Sequence, residues 1–154
     1  MEPEIGKPAF SSRQSTMLLS HSFKNVARLW LPVVGWMVVV FIGSSIGSVP
    51  RVGGPTSDAI VHRVAHVLEF AVLGALLLRA LSRGRRSTKR EWIITVLATG
   101  LYAASDEFHQ RFTPGRSSEG ITVVFDVAGG MLGAWAYGAW RKRRERQSSS
   151  RLLE

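Results

Sequence analysis

Trp30–Val49 reads WLPVVGWMVVVFIGSSIGSV, twenty consecutive residues without a charged side chain. A helix needs about 20 apolar residues to cross the hydrocarbon core of a bilayer. The run has no polar face, whereas a surface helix of a soluble protein carries one. It predicts a membrane-spanning helix. A cleaved signal peptide is the competing reading, with the small residues around Ser45-Ile46-Gly47 as cleavage context. The run is too long and starts too late for that, so an uncleaved anchor is expected.

Three more apolar runs follow: His62–Leu81, Trp92–Ser105 with a polar extension to Phe112, and Ile121–Trp140. Pro50, Gly53, Gly54 and Pro55 break the chain after the first run, Arg79–Arg90 separates the second from the third, and Pro114-Gly115 ends the third. Four such runs fill much of a 154-residue chain, leaving too little polar surface for a soluble bundle. The expected fold is an all-α, four-helix transmembrane bundle. Residues 1–28 read as a disordered cytoplasmic tail, 29–141 as the membrane domain and 142–154 as a basic cytoplasmic tail, with Ser148–Ser150 disordered.

The net charge of +9 at first points to nucleic acid. Its distribution points elsewhere. Sixteen of the 20 Lys and Arg residues lie in the N-terminal tail, the Arg79–Arg90 loop and the C-terminal tail. Four crossings put all three on one side, and the positive-inside rule makes that side cytoplasmic, with both termini. Trp30, Trp92 and Trp140 fall at the same interface. No nucleic-acid partner is expected. The chain has no cysteine, which excludes disulfides and thiolate metal sites.

With that topology, six of the 11 acids and three of the four histidines gather in the outer half: Asp58, Glu69, Asp106, Glu107, Glu119, Asp126, His62, His66 and His109. Ionisable groups at membrane depth are costly and usually functional. His62, His66 and Glu69 share one helical face. Asp106, Glu107, His109 and Gln110 occupy less than half of the next helix's circumference. Asp126 shares a stripe with Gly129, Gly130 and Gly133, and small residues four apart let membrane helices approach closely. Thr113-Pro114-Gly115-Arg116 reads as a tight turn holding an arginine above the cluster. A guanidinium there, with that of Arg63, is suited to a phosphate or carboxylate.

Helix-locking ion pairs are the plain alternative: Arg116 with Asp126 or Glu119, and His66 with Asp106. The size of the set favours a site. Its candidate members are His66, Glu69, Asp106, Glu107, His109, Gln110 and Asp126, with Arg63 and Arg116 binding an anion. Asp106 and Glu107 would support general acid–base chemistry if burial raised one pKa. Ser105, Ser117 and Ser118 sit in no nucleophile motif. No metal or other cofactor is expected. A divalent metal is the minor alternative, since His66-x-x-Glu69 and Glu107-x-His109 offer ligand types for zinc or manganese. Arg63 stands where the HExxH motif has Glu, so that motif is absent.

The series Arg63-x-x-His66-x-x-Glu69-Phe70-x-x-Leu73-Gly74, then Ser105-Asp106-Glu107-x-His109-Gln110-x-Phe112-x-Pro114-Gly115-Arg116, then Asp126, Gly129 and Gly133, resembles the VanZ-like family of bacterial integral membrane proteins. The resemblance covers roughly residues 30–140. Arg63 replaces a usual Lys, Val67 a frequent aromatic and Gly130 a common Asn. The resemblance implies a multi-pass protein of the bacterial plasma membrane with a cell-envelope role. It also implies a family association with susceptibility to teicoplanin-type glycopeptides, and His66, Glu69, Asp106, Glu107, Gln110, Arg116 and Asp126 as functional positions. Membrane lipids, an anionic headgroup or a lipid-linked cell-wall precursor are the expected partners. An intramembrane hydrolase or transferase on a lipid-linked substrate is the competing function, and an assembly factor packing its glycine faces on a partner helix is a third. The substrate, catalytic status and oligomeric state stay open.

Overall fold

A computed structural model describes residues 12–46, 55–114 and 120–151 of the chain. These form four helices: α1 Ser12–Ser45, α2 Pro55–Ser82, α3 Lys89–Gln110 and α4 Ile121–Arg151. Among the described residues there is no strand.

Local chemistry sets the helix ends. Pro55 opens α2, where its missing N–H costs nothing and its fixed φ is already helical. α2 ends where Arg83 and Gly84 take left-handed φ values of 51° and 72°, and the Gly84 N–H donates to the Arg79 carbonyl at 3.3 Å. α3 begins with a reciprocal cap. The Glu91 N–H donates to Thr88 Oγ1 at 3.3 Å, and the Thr88 N–H donates to Glu91 Oε2 at 2.7 Å. Those bonds to Thr88, with the nearby Arg85 guanidinium, hold the Glu91 carboxyl below its ordinary pKa of 4.5 against the opposing effect of burial.

The bundle is inside out relative to a soluble protein. Ser44, His66, Thr95, Thr99, Asp106, Glu107, Gln110 and Asp126 are buried, while Leu31, Leu68, Leu97, Leu101, Phe112 and Trp135 are each more than 60% exposed. Such a surface is stable in lipid and not in water. α1, α2 and α4 contain the spans Lys24–Ser45, Ile60–Ser82 and Ile121–Arg151, each long and apolar enough to cross a membrane. α3, at 22 residues, is long enough and falls short only in apolarity. The sequence predicts four equivalent crossings, and the difference lies in the buried face of α3. That face carries Thr95, Thr99, Asp106, Glu107 and Gln110. Its other face, Ile93, Leu97, Leu101 and Phe108, is exposed and apolar. Averaging the two hides the lipid-facing stripe.

Two tail readings need correction. Helix begins at Ser12, inside the stretch read as an unstructured tail, and no Gly or Pro interrupts it before Trp30. α4 likewise continues through Ser148–Ser150 to Arg151. An Arg141–Glu145 pair one turn apart at 3.2 Å supports it. The hydroxyls of Ser148 and Ser149 donate back to the Glu145 carbonyl at 2.9 and 3.1 Å. Residues 1–11 lie outside the described residues.

Cross-helix contacts give an alternating up-and-down order. Ser44 near the end of α1 meets Asp106 near the end of α3, and His66 in α2 meets Asp126 near the start of α4. The bundle therefore has an acidic end, and a basic end formed by the 83–88 turn and the end of α4. α2 and α4 pack most closely. A Cβ on Gly129 would overlap the Val67 carbonyl, one on Gly133 the Ala71 carbonyl and one on Gly74 the Gly130 carbonyl. Only glycine permits main chains to approach this closely. α1 is fastened at mid-depth, where Trp36 Nε1 donates to the Glu69 carbonyl at 2.8 Å and the Tyr102 hydroxyl donates to the Met37 carbonyl at 2.6 Å. Phe70, Leu73, Leu77, Val33, Val40 and Ala103 fill the space between.

Candidate functional site

α2 and α4 build the first half of the site. His66 Nδ1 lies 3.5 Å from Asp126 Oδ1, and both residues are buried. Phe70, one turn along α2, lies nearly parallel to the imidazole with ring centroids 6.5 Å apart.

α1 and α3 build the second half. Asp106 Oδ2 accepts from Ser44 Oγ at 2.8 Å and from Gln110 Nε2 at 2.8 Å, and Gln110 Nε2 reaches Ser44 Oγ at 3.4 Å. Asp106 and Gln110 are one turn apart, so the amide caps its own helix's carboxylate. His109, on the same face of α3, also meets α1, where Nε2 lies 3.0 Å from Ser45 Oγ and the ring packs on Phe41 at 4.5 Å. Glu107 is buried between these residues in sequence, only 5% exposed.

Polar atoms are left over. His66 Nδ1, Asp106 Oδ1, Glu107 Oε1 and Asp126 Oδ1 are buried without a hydrogen-bond partner among the described residues. Each such atom costs about 1–3 kcal/mol. Three of the four are carboxylate oxygens, which can only accept, never donate, when ionised. The site is thus rich in acceptors and short of donors. Among the described residues no group of three His, Asp or Glu side chains is placed to hold a metal ion.

The seven predicted cluster residues all lie at the acidic end, in two subsets. His66 pairs with Asp126 and not, as the helix-locking alternative had it, with Asp106. Glu69 is half-buried and has an interaction of its own. Arg63 is exposed on α2, its guanidinium 5.9 Å from the centre of the Phe125 ring, and it too is engaged. Arg116, Glu119, Ser117 and Ser118 lie outside the described residues, as does the side chain of Asp58. Ser44 and Ser45 also belong to this cluster, although the sequence pattern does not single them out as site residues. Ser45, with Ile46 and Gly47, reads as cleavage context; in the structure Ser44 and Ser45 form an adjacent hydroxyl pair at the end of the uncharged stretch that starts at Trp30, and that position was the available signal.

An all-helical bundle with a lipid-compatible surface and long apolar helices defines an integral membrane protein, here with ionisable residues buried between its helices. The sequence pattern of the VanZ/LLP1 family matches residues 7–141, and the chain belongs to that family. No curated protein and no solved structure matches the chain.

Proposed function

We propose that this protein works in the bacterial plasma membrane, with its acidic end facing outward, by binding an anionic component of the cell envelope: a lipid headgroup or a lipid-linked cell-wall precursor. The observation that carries this reading is the set of buried acceptor atoms without a hydrogen-bond partner among the described residues, Asp106 Oδ1 and Glu107 Oε1, with Asp126 Oδ1 approached only by His66 Nδ1 at 3.5 Å. An anion alone would be repelled by these carboxylates. Envelope headgroups, however, join a phosphate to hydroxyl, amide or ammonium donors. The donors match the open carboxylate oxygens. The phosphate matches Arg63, one turn before His66 and Val67 on α2, and Arg116, two residues along the chain from Pro114. Sequestering such a component would change the access of teicoplanin-type glycopeptides to the cell surface, in keeping with the family association.

The test compares native protein with Arg116→Ala and Asp126→Asn, in cells and after purification. Both variants should insert normally, lose co-purifying anionic lipid and shift glycopeptide susceptibility. Unchanged lipid retention and susceptibility in both would overturn the reading.

A second reading, an intramembrane hydrolase or transferase acting on a lipid-linked substrate, is favoured by one feature. His66 and Asp126, 3.5 Å apart, form a pair of the kind that orients an imidazole as a general base. Under that reading Asp126→Asn abolishes turnover of a lipid-linked substrate while leaving its binding in place.

A further inference from the structure

At the basic end a cleft of about 340 Å³ opens between the 85–92 segment and α4. Arg85, Arg86, Arg141 and Lys142 supply four cations to its walls, and Trp92 and Trp135 supply apolar faces. Two of the cations are already matched, Arg85 by Glu91 and Arg141 by Glu145. Arg86 and Lys142 have no ion pair among the described residues. Arg141 also keeps a buried Nε donor without a partner there. Gly138 lines the cleft, and the Trp92 ring lies 3.4 Å from the position a Cβ would take on it. The cavity thus combines surplus positive charge, an unspent guanidinium donor and aromatic walls of the kind found at the headgroup level of a bilayer.

We propose that this cleft is a binding site for a phosphate-bearing anion, with its phosphate held by Arg86, Lys142 and Arg141. A cleft at the end of a membrane bundle, walled by tryptophan and flanked by exposed apolar helix surface, fits an anionic phospholipid headgroup whose chains run down α3 and α4. A soluble phosphomonoester offers the same phosphate without the chains. The site is separate from the acidic end and does not depend on the function proposed there.

The experiment uses the full chain carrying Arg116→Ala and Asp126→Asn, so that lipid held at the acidic end does not contribute, purified in detergent, with native mass spectrometry of added phosphatidylglycerol or phosphatidylcholine and a parallel titration with glycerol phosphate. One phosphatidylglycerol should stay bound in preference to phosphatidylcholine. Arg86→Ala and Lys142→Ala should each weaken retention about fivefold, the scale of one cation near an anionic headgroup. Arg143→Ala, on the same helix but outside the cleft, should not. Gly138→Leu, which fills the cavity without changing charge, should abolish retention. Equal binding of glycerol phosphate would identify the occupant as a soluble phosphate compound and still support the site. An equal loss in Arg143→Ala, full retention in Gly138→Leu, or no preference for phosphatidylglycerol together with no binding of glycerol phosphate would overturn it.

Discussion

Replacing Gly133 by alanine tests the packing that the whole site depends on. The added methyl would stand 2.7 Å from Ala71 Cα and closer still to the Ala71 carbonyl. Atoms in good contact sit about 3.5–4.0 Å apart, so α2 and α4 must separate by about 1–2 Å. The obstacles are main-chain atoms inside a helix, and no side-chain rotation relieves them. Overpacking of this kind costs about 1–3 kcal/mol. Separation also weakens the Gly129–Val67 and Gly74–Gly130 approaches along the same seam, which places the expected loss at about 2–3 kcal/mol, or about 30- to 150-fold in the folded-to-unfolded ratio. The assay is reversible unfolding in mixed micelles, followed by tryptophan fluorescence. Gly35→Ala in α1 is the control, because nothing lies within 4 Å of its would-be Cβ. That change should stabilise by up to about 1 kcal/mol through helix propensity alone. If Gly133→Ala fell within about 0.5 kcal/mol of Gly35→Ala, the close α2–α4 seam would be refuted.

Ser44→Ala removes the hydroxyl that donates to Asp106 and accepts from Gln110. It should destabilise by about 1 kcal/mol, the scale of an intramembrane hydrogen bond, in the same unfolding assay. Glu91 has its carboxyl held below 4.5 in the folded chain. Its contribution is therefore complete above pH 4.5 and lost as pH falls through the depressed folded value, so Glu91→Gln should flatten the acid limb of the unfolding midpoint measured against pH. Since the chain has no cysteine, Ser87→Cys and Ser148→Cys should react with an impermeant maleimide only after cells are opened, and Thr113→Cys in intact cells. Labelling of Thr113→Cys from the same side as the other two would refute the alternating topology.

Much of the fold was legible because lipid imposes a simple rule on sequence. Long runs without charge, Trp30–Val49 above all, have no other stable use, and turn chemistry at Pro55 and Pro114, with the basic Arg79–Arg90 segment, marks their limits. The polar cluster was legible for the same reason: Asp106, Glu107 and Asp126 are conspicuous where charge is expensive. What was not legible was pairing. Helical periodicity puts His66 and Asp126 on inward faces without fixing the rotation of each helix, so Asp106 seemed as good a partner for His66. The split into two halves depends on α1, whose Ser44 and Ser45 carry no charge to attract notice. The extension of α1 back to Ser12 and of α4 to Arg151 eluded a hydropathy reading, since helix can propagate beyond the apolar stretch that anchors it.

The glycine seam and the polar pair are one device. His66 adjoins Val67, whose carbonyl occupies the place of a Gly129 Cβ, and Asp126 lies one turn before Gly129 on α4. The 3.5 Å separation of His66 Nδ1 and Asp126 Oδ1 is thus inherited from main chains already in contact beside it. An unsupported pair of this kind in lipid would trade its contact for water or for other partners, because both groups are short of hydrogen bonds. Gly129→Ala and Gly133→Ala should therefore differ in kind. Both open the seam, but an opening of about 1 Å at Gly129 falls directly on the pair, whereas at Gly133 it falls one turn deeper and reaches the pair attenuated. Compared in conditions that leave both variants fully folded, Gly129→Ala should lose more of the binding or turnover that depends on Asp126, with Asp126→Asn marking complete loss. Equal loss in the two glycine variants would show that the seam stabilises the bundle without positioning the pair.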